Sequence, residues 1–303
     1  MKFDFLSESD QAYFIHKAST LVEALPFIRK HSGDTIVIKY GGHAMGDNEL
    51  SKKFSQDIGL LKEVGIKPII IHGGGPQIEE RLKKKKIKSS FVEGLRVTNI
   101  KTIKIVEEVL SNHINKKIVN DIKLAGGKAE SFLGNKNNII EATKINIEIK
   151  KNNSKNKKIV DLGFVGIPNK INTKKILNSI KKGNIPVITP LGIDKKGNTY
   201  NINADTAAGA IAGALKASKL LLLTDVDGIL DQRKKLISSL KFKDAKKIIK
   251  EKYILGGMKP KISTCINAME QGVKEATILD GRISHAIILE LFTEHGIGTQ
   301  IYS

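Results

Sequence analysis

The chain has 303 residues, 40% apolar and 5% aromatic with no Trp, enough for one large α/β domain or two lobes around a substantial core. Its charge of +20 comes almost entirely from scattered Lys in a chain poor in the Arg that reads bases and phosphates bidentately, so nucleic-acid binding is not expected. No apolar run nears the ~20 residues that cross a bilayer, residues 1–10 lack a secretory core, and Cys265 has no intrachain partner; a reducing cytoplasm is expected, with no membrane contact.

From the N-terminus onward, strand-like apolar runs alternate with amphipathic stretches, the pattern of a largely parallel sheet covered by helices. Residues 10–30 have apolar positions at helical spacing and predict a helix ahead of the first strand. Thr35–Tyr40 and Lys67–His72 read as strands, the first running into Gly41-Gly42 and the second into Gly73-Gly74-Gly75. Pro76 suits the first turn of a helix, where its missing N–H would be unsatisfied anyway. The lysines at 83–86 fit the solvated end of that helix. From 127 to 167, short alternating runs and Asn- and Lys-rich turns predict β-hairpins with a polar tip at 150–158. The strand pattern resumes at 185–189, an Ala- and Gly-rich helix is expected over 205–215, and strands follow at Lys219–Thr224, 276–280 and Thr299–Tyr302.

Glycine turns after strands let backbone N–H groups converge on an anion, and a helix starting beyond them adds its N-terminal partial charge. Neither turn is a Walker A loop or a dinucleotide fingerprint, which disfavours a nicotinamide dehydrogenase. Lys39 sits near the end of an otherwise apolar strand, where a charge is costly unless it points out of the carboxyl end of the sheet, the edge at which open α/β folds bind ligands. Lys259 and Lys261 form a second cationic cluster in GGMKPK, residues 256–261. Phosphoryl transfer needs such cations around the equatorial oxygens and little covalent help. Asn201, Asn203 and Asp205 alternate so as to project to one side of an extended segment, and a carboxylate between two lysines would hold both charged and oriented. Asp205 also suits a helix N-cap. Thr224, Asp225, Asp227 and Gly228 follow a strand and read as a turn or a nucleotide-edge contact.

The segments KYGGHAM from Lys39, IHGGGPQI from Ile71, EGLRVT from Glu93, NINADTAA from Asn201, LLLTDVDGIL from Leu221, GGMKPK from Gly256 and HAIILELFTEHGIGT from His285 together resemble the amino-acid kinase family. They occur in the family's order over 35–301. GLRVT with NINAD is specific to members that act on acetylated glutamate; carbamate kinases, UMP kinases and a non-catalytic ligand sensor are the alternatives. The resemblance implies a three-layer αβα sandwich around a largely parallel open sheet, with an extra helix over 1–30. The kinase domain would span 31–303, its N-lobe (about 31–190) holding N-acetyl-L-glutamate and its C-lobe (about 191–303) ATP with Mg2+. The implied catalytic groups are Lys39, Lys261 and Asp205. Lys259 stands where the family often has Ile, and Lys261 is assigned by its place in the motif. Backbone N–H groups of Gly41, Gly42 and Gly74 would face phosphates and the attacking carboxylate. Gly74, Gly75, Arg96 and Asn201 would bind the substrate, and Thr224, Asp225, Asp227, Gly228 and Gly257 the ATP.

Tyr13, Phe14, Ala18, Leu21 and Leu25 give the first helix one apolar face that must be covered, and a second subunit is a natural cover. In arginine-inhibited members of the family such a helix links dimers into a hexamer. The resemblance therefore implies a hexameric trimer of dimers inhibited by L-arginine, with His285, Glu290 and Gly296 as effector contacts.

Overall fold

Six residues at the centre of the molecule, β1 (Thr35–Tyr40), determine how the rest is arranged. Ile36, Val37 and Ile38 are fully buried, so this strand is covered on both faces, as a near-continuous β-branched run requires. In the computed structural model, which describes residues 6–150, 157–254 and 256–303, β1 lies in an eight-stranded sheet. On one side of it run β2 (Lys67–His72), β8 (Ile185–Ile188) and the edge strand β5 (Ala129–Phe132). On the other run β11 (Lys219–Thr224), β13 (Glu275–Asp280), β14 (Thr299–Tyr302) and β12 (Ser239–Lys241). The pairs are parallel except β13 with β14. Strand order reverses at β1, which leaves a crevice at its carboxyl end.

One face of the sheet carries α7 (Thr173–Lys181), α8 (Ala204–Leu215), α9 (Phe242–Ile248) and α10 (Met258–Glu270) in one apolar cluster. The other carries α3 (Asn48–Glu63), α4 (Gly75–Lys84), α5 (Ile100–Glu108), α6 (Lys116–Leu124) and α11 (Ala286–Phe292) in a second. The result is the expected three-layer sandwich. The small residues of α8 have a steric cause: a Cβ on Gly209 would stand 2.6 Å from Thr264 Cγ2 of α10. Between α5 and α6 the chain winds a π-helical turn, Val109–Asn115, which the sequence pattern does not announce.

Three expectations are amended. The stretch 127–167 is not all hairpin, since β5 joins the main sheet; the hairpin is β6 (Ile140–Lys150) with β7 (Lys157–Ile171), and 151–156 of its expected tip lie outside the described residues. With β9 (Leu191–Ile193) and β10 (Thr199–Asn201), this hairpin closes a small four-stranded barrel beside the sheet. The helix expected over 10–30 is two, α1 (Glu8–Glu23) and α2 (Leu25–His31), because Pro26 lacks the N–H to continue the first and is well placed to open the second. Ser7 caps α1 by accepting from the Asp10 N–H. The α1 helix buries none of its residues, and Leu21 is 75% exposed. The third concerns Asp205, which follows rather than forms the cap: Asn203 is the N-cap of α8, accepting from the Thr206 N–H, and Asp205 lies in the first turn.

Candidate active site

At the carboxyl end of β1, Lys39 turns its ammonium 3.1 Å from Asp205 Oδ1 and donates to the Leu223 carbonyl at 3.3 Å. From the other side Lys261, in the first turns of α10, donates to Asp205 Oδ2 at 2.7 Å. One buried carboxylate thus joins two cations carried by different elements. Burial alone would raise the Asp205 carboxyl, but the charges of Lys39 and Lys261 outweigh it and hold the group below its ordinary range. Asp205 Oδ1, though close to Lys39, is buried and receives no aligned hydrogen bond. Lys259 is exposed; residues two apart on an α-helix point about 200° apart, so only Lys261 can face Asp205.

The glycine turns make the approach possible. A Cβ on Gly41 would come 2.7 Å from Lys39 Nζ, so the bare backbone gives the ammonium its place. Gly42 has φ +75°, and a Cβ there would meet the Asp225 carboxylate at 2.1 Å. Gly41, Gly42, Gly73, Gly74 and Gly75 border one cavity of about 310 Å3 with Lys39, Asp205 and Lys261.

Across that cavity lies a two-stranded hairpin, β3 (Phe91–Val92) with β4 (Leu95–Arg96). Arg96 is buried; it donates to Glu79 at 2.5 Å, to the Gly75 carbonyl at 3.2 Å and to the Ser89 hydroxyl, and its guanidinium stacks 4.5 Å from the Phe91 ring. That stacking makes Phe91 part of the cavity wall, a role its sequence position does not signal. Asn201, delivered by the last residue of β10, reaches Thr98 Oγ1 at 3.4 Å. Sequence segments more than a hundred residues apart therefore meet around one space, one end cationic and the other bearing an Arg fork and an amide.

The residues assigned to the nucleotide lie off this cavity. Thr224 ends β11, Asp225 adjoins Gly42, and Asp227 faces Arg282 at 3.9 Å; Gly228 packs against Thr299, and Gly257 precedes α10 as its N-cap. Among the described residues no group of three or more His, Cys, Asp or Glu could hold a metal.

The expected effector residues separate. Glu290 and Gly296 border a second cavity, of about 400 Å3, with Lys30 and His31 of α2. Glu290 accepts there from Thr277 and the Ile297 N–H, with Lys219 at 4.0 Å. His285 points elsewhere: its left-handed backbone (φ 57°) turns the ring to Asp57 of α3, Nδ1 to Oδ1 2.6 Å. Among the described residues no helix is long and apolar enough to cross a membrane.

Comparison with known proteins places these observations. The model of the amino acid kinase family matches residues 34–280. The chain is 52% identical over 289 residues to an acetylglutamate kinase of Rhodospirillum centenum, covering 95% of this chain and 94% of that protein. It is 51% identical over 288 residues to an acetylglutamate kinase of a Bradyrhizobium strain, covering 95% and 97%. Among solved structures it is similar to an N-acetylglutamate synthase from Neisseria gonorrhoeae complexed with coenzyme A and N-acetyl-glutamate, with TM-score 0.82 and 26% identity. The match covers 94% of this chain but only 63% of the synthase. The same synthase complexed with coenzyme A and L-arginine matches with TM-score 0.77 at 26% identity, over 94% and 65%.

Proposed function

The chain belongs to the amino acid kinase family, and we propose that it transfers the terminal phosphoryl group of ATP to the side-chain carboxylate of N-acetyl-L-glutamate, giving N-acetyl-L-glutamyl 5-phosphate and ADP in arginine biosynthesis. The observation that carries the reading is the Lys39–Asp205–Lys261 cluster facing the cavity that Arg96 and Asn201 also border. Relatives of nearly equal length named acetylglutamate kinase support the choice of substrate over carbamate or UMP and over a sensor without catalysis.

In this reading Lys39 and Lys261 neutralise charge on the transferring group, and Asp205 keeps both ammoniums charged and oriented. Their worth lies in being placed before the reaction. Arg96 holds a substrate carboxylate through its remaining donors, which a Lys point charge would not reproduce. Asn201 and the Gly74 and Gly75 backbone complete the acetylglutamate site, and Gly41, Gly42 and Gly74 offer N–H groups to phosphates and to the attacking carboxylate. ATP lies toward Thr224, Asp225, Asp227, Gly228 and Gly257, with Mg2+ lending charge to its phosphates. The lobes divide the work as 31–190 for acetylglutamate and 191–303 for ATP, in a cytoplasmic enzyme.

Regulation is part of the same reading. L-arginine binds the cavity between α2 and the C-terminal segment, where Glu290 and Gly296 lie; His285 reaches it only by leaving Asp57. The exposed apolar face of α1 joins dimers into a hexamer.

The direct test traps acyl phosphate with hydroxylamine in the presence of ATP and N-acetylglutamate, beside glutamate, aspartate and carbamate. Hydroxamate from N-acetylglutamate alone is expected. Equal turnover of free glutamate would refute the assignment, because its ammonium would enter a pocket built for a neutral acetamide.

A further inference from the structure

The glycine loop after β2 is held from beneath by a buried polar network. His72 is fully buried; its Nδ1 lies 2.9 Å from the Gly73 carbonyl oxygen and its Nε2 3.2 Å from the Asn115 side-chain amide nitrogen. A carbonyl only accepts, so Nδ1 carries the proton and Nε2 accepts from Asn115. The same amide nitrogen donates to the Val187 carbonyl at 3.0 Å, and Asn115 Oδ1 accepts from the Ser131 hydroxyl. Both ring nitrogens are thereby used and the tautomer is fixed. Burial pulls the ring's pKa down to about 4, which keeps it neutral.

This network reaches the cavity through the backbone. Across a trans peptide the C=O and the following N–H point in opposite directions. Pinning the Gly73 carbonyl to the imidazole therefore turns the Gly74 N–H away from the ring. That N–H has no protein acceptor among the described residues, and Gly74 borders the cavity. The π-helical turn supplies the rest of the support. A Cβ on Gly74 would meet Ile114 at 2.6 Å and Leu110 at 2.7 Å, so the loop lies directly on this turn. At 100° per residue an α-helix would put residues 110 and 115 about 140° apart. The wider i→i+5 turn brings Asn115 round toward the face that Leu110 presents to the loop.

We propose that His72, oriented by Asn115, is a positioning residue that aims the Gly74 N–H at the oxygen charge developing during phosphoryl transfer; this rests on the kinase reading above. The donor acts where charge appears, so its loss falls on kcat more than on KM. His72→Leu is expected to lower kcat by about 10- to 100-fold, with KM for N-acetylglutamate within about threefold. His72→Asn, whose amide can replace the Nδ1 donor, should recover most of that loss. Asn115→Leu should repeat the kcat defect and carries the comparison if His72→Leu does not fold. Imidazole 15N shifts of the wild-type protein should show Nδ1 protonated, a measurement that needs no variant. Wild-type turnover with unchanged kcat in His72→Leu or Asn115→Leu, or an Nε2-protonated ring, overturns this inference alone. A wild-type protein that makes no acyl phosphate overturns the kinase reading and this inference with it.

Discussion

Replacing Asp205 by Asn keeps the shape of the side chain and removes its charge, leaving two ammoniums with little exposure facing each other. At an effective dielectric of about 20, an attraction across distances near 3 Å is worth about 5–6 kcal/mol per lysine before desolvation is counted. Lys39 Nζ at 3.1 Å and Lys261 Nζ at 2.7 Å both lose it. Water entering the cavity returns part of this, so the net cost falls near the ~3–5 kcal/mol typical of a broken buried pair. For a chain of this length that corresponds to a fall in Tm of about 5–8 °C. Both ammoniums also lose their fixed position, so kcat should drop by about 100- to 1000-fold. Hydroxamate formation reads the rate and a thermal melt the stability. Because the three groups act together, Asp205→Asn combined with Lys39→Met should cost clearly less than the sum of the two single changes. A tenfold or smaller loss of kcat with an unchanged Tm would refute the idea that Asp205 organises the lysines.

Lys39→Ala and Lys261→Ala should each lower kcat by about a hundredfold or more, whereas exposed Lys259→Ala should change it little; a damaging Lys259 change beside a silent Lys261 change would invert the assignment. Asp57 is buried beside His285, and its burial raises the carboxyl to about 6. A raised folded-state pKa contributes stability below the unfolded value near 4 that is lost as pH rises through 6, so Asp57→Asn should gain on the wild type across that window by on the order of 3 kcal/mol; Tm differences measured at pH 4 and pH 7 that do not change would exclude it. Deleting residues 1–26 should leave an active dimer insensitive to L-arginine, as read by sedimentation and the hydroxamate assay. A full-length dimer that ignores millimolar arginine would end the regulatory reading and leave the kinase intact.

The strands β1, β2 and β11 were legible to the residue, because each is a short apolar run ended by residues that cannot continue it. Lys39, Asp205 and Lys261 were legible as candidates, since a charge in an apolar run or a Gly- and Lys-rich turn demands an explanation. That one carboxylate would sit between the two lysines was also expected; what the sequence did not carry is the means, the packing of α8 on α10 at small-residue contacts such as Gly209 with Thr264. The strands β3, β4, β9 and β10 span two or three residues each, too few for a period, and their partners lie far along the chain. No sequence reading covered the π turn, so the link from Asn115 to His72 had no sequence signal. His285 was grouped with Glu290 by the family resemblance of the C-terminal segment; the left-handed residue that opens α11 sends the ring to another element.

The parallel register of β1 and β2 pairs Tyr40 with His72, so their two glycine turns start level with each other, and the Gly73 N–H donates to the Tyr40 carbonyl at 2.7 Å. Adjacent strands stand about 4.8 Å apart, a spacing fixed by backbone hydrogen bonds and nearly independent of side chains. If one turn serves the phosphates and the other the attacking carboxylate, the ladder acts as a ruler between donor and acceptor. The span that the phosphoryl group must cross would then be set by the backbone and not by what occupies the crevice. A substitution that tilts β2 against β1 would act on the reaction as a change of distance, even with every catalytic side chain in place.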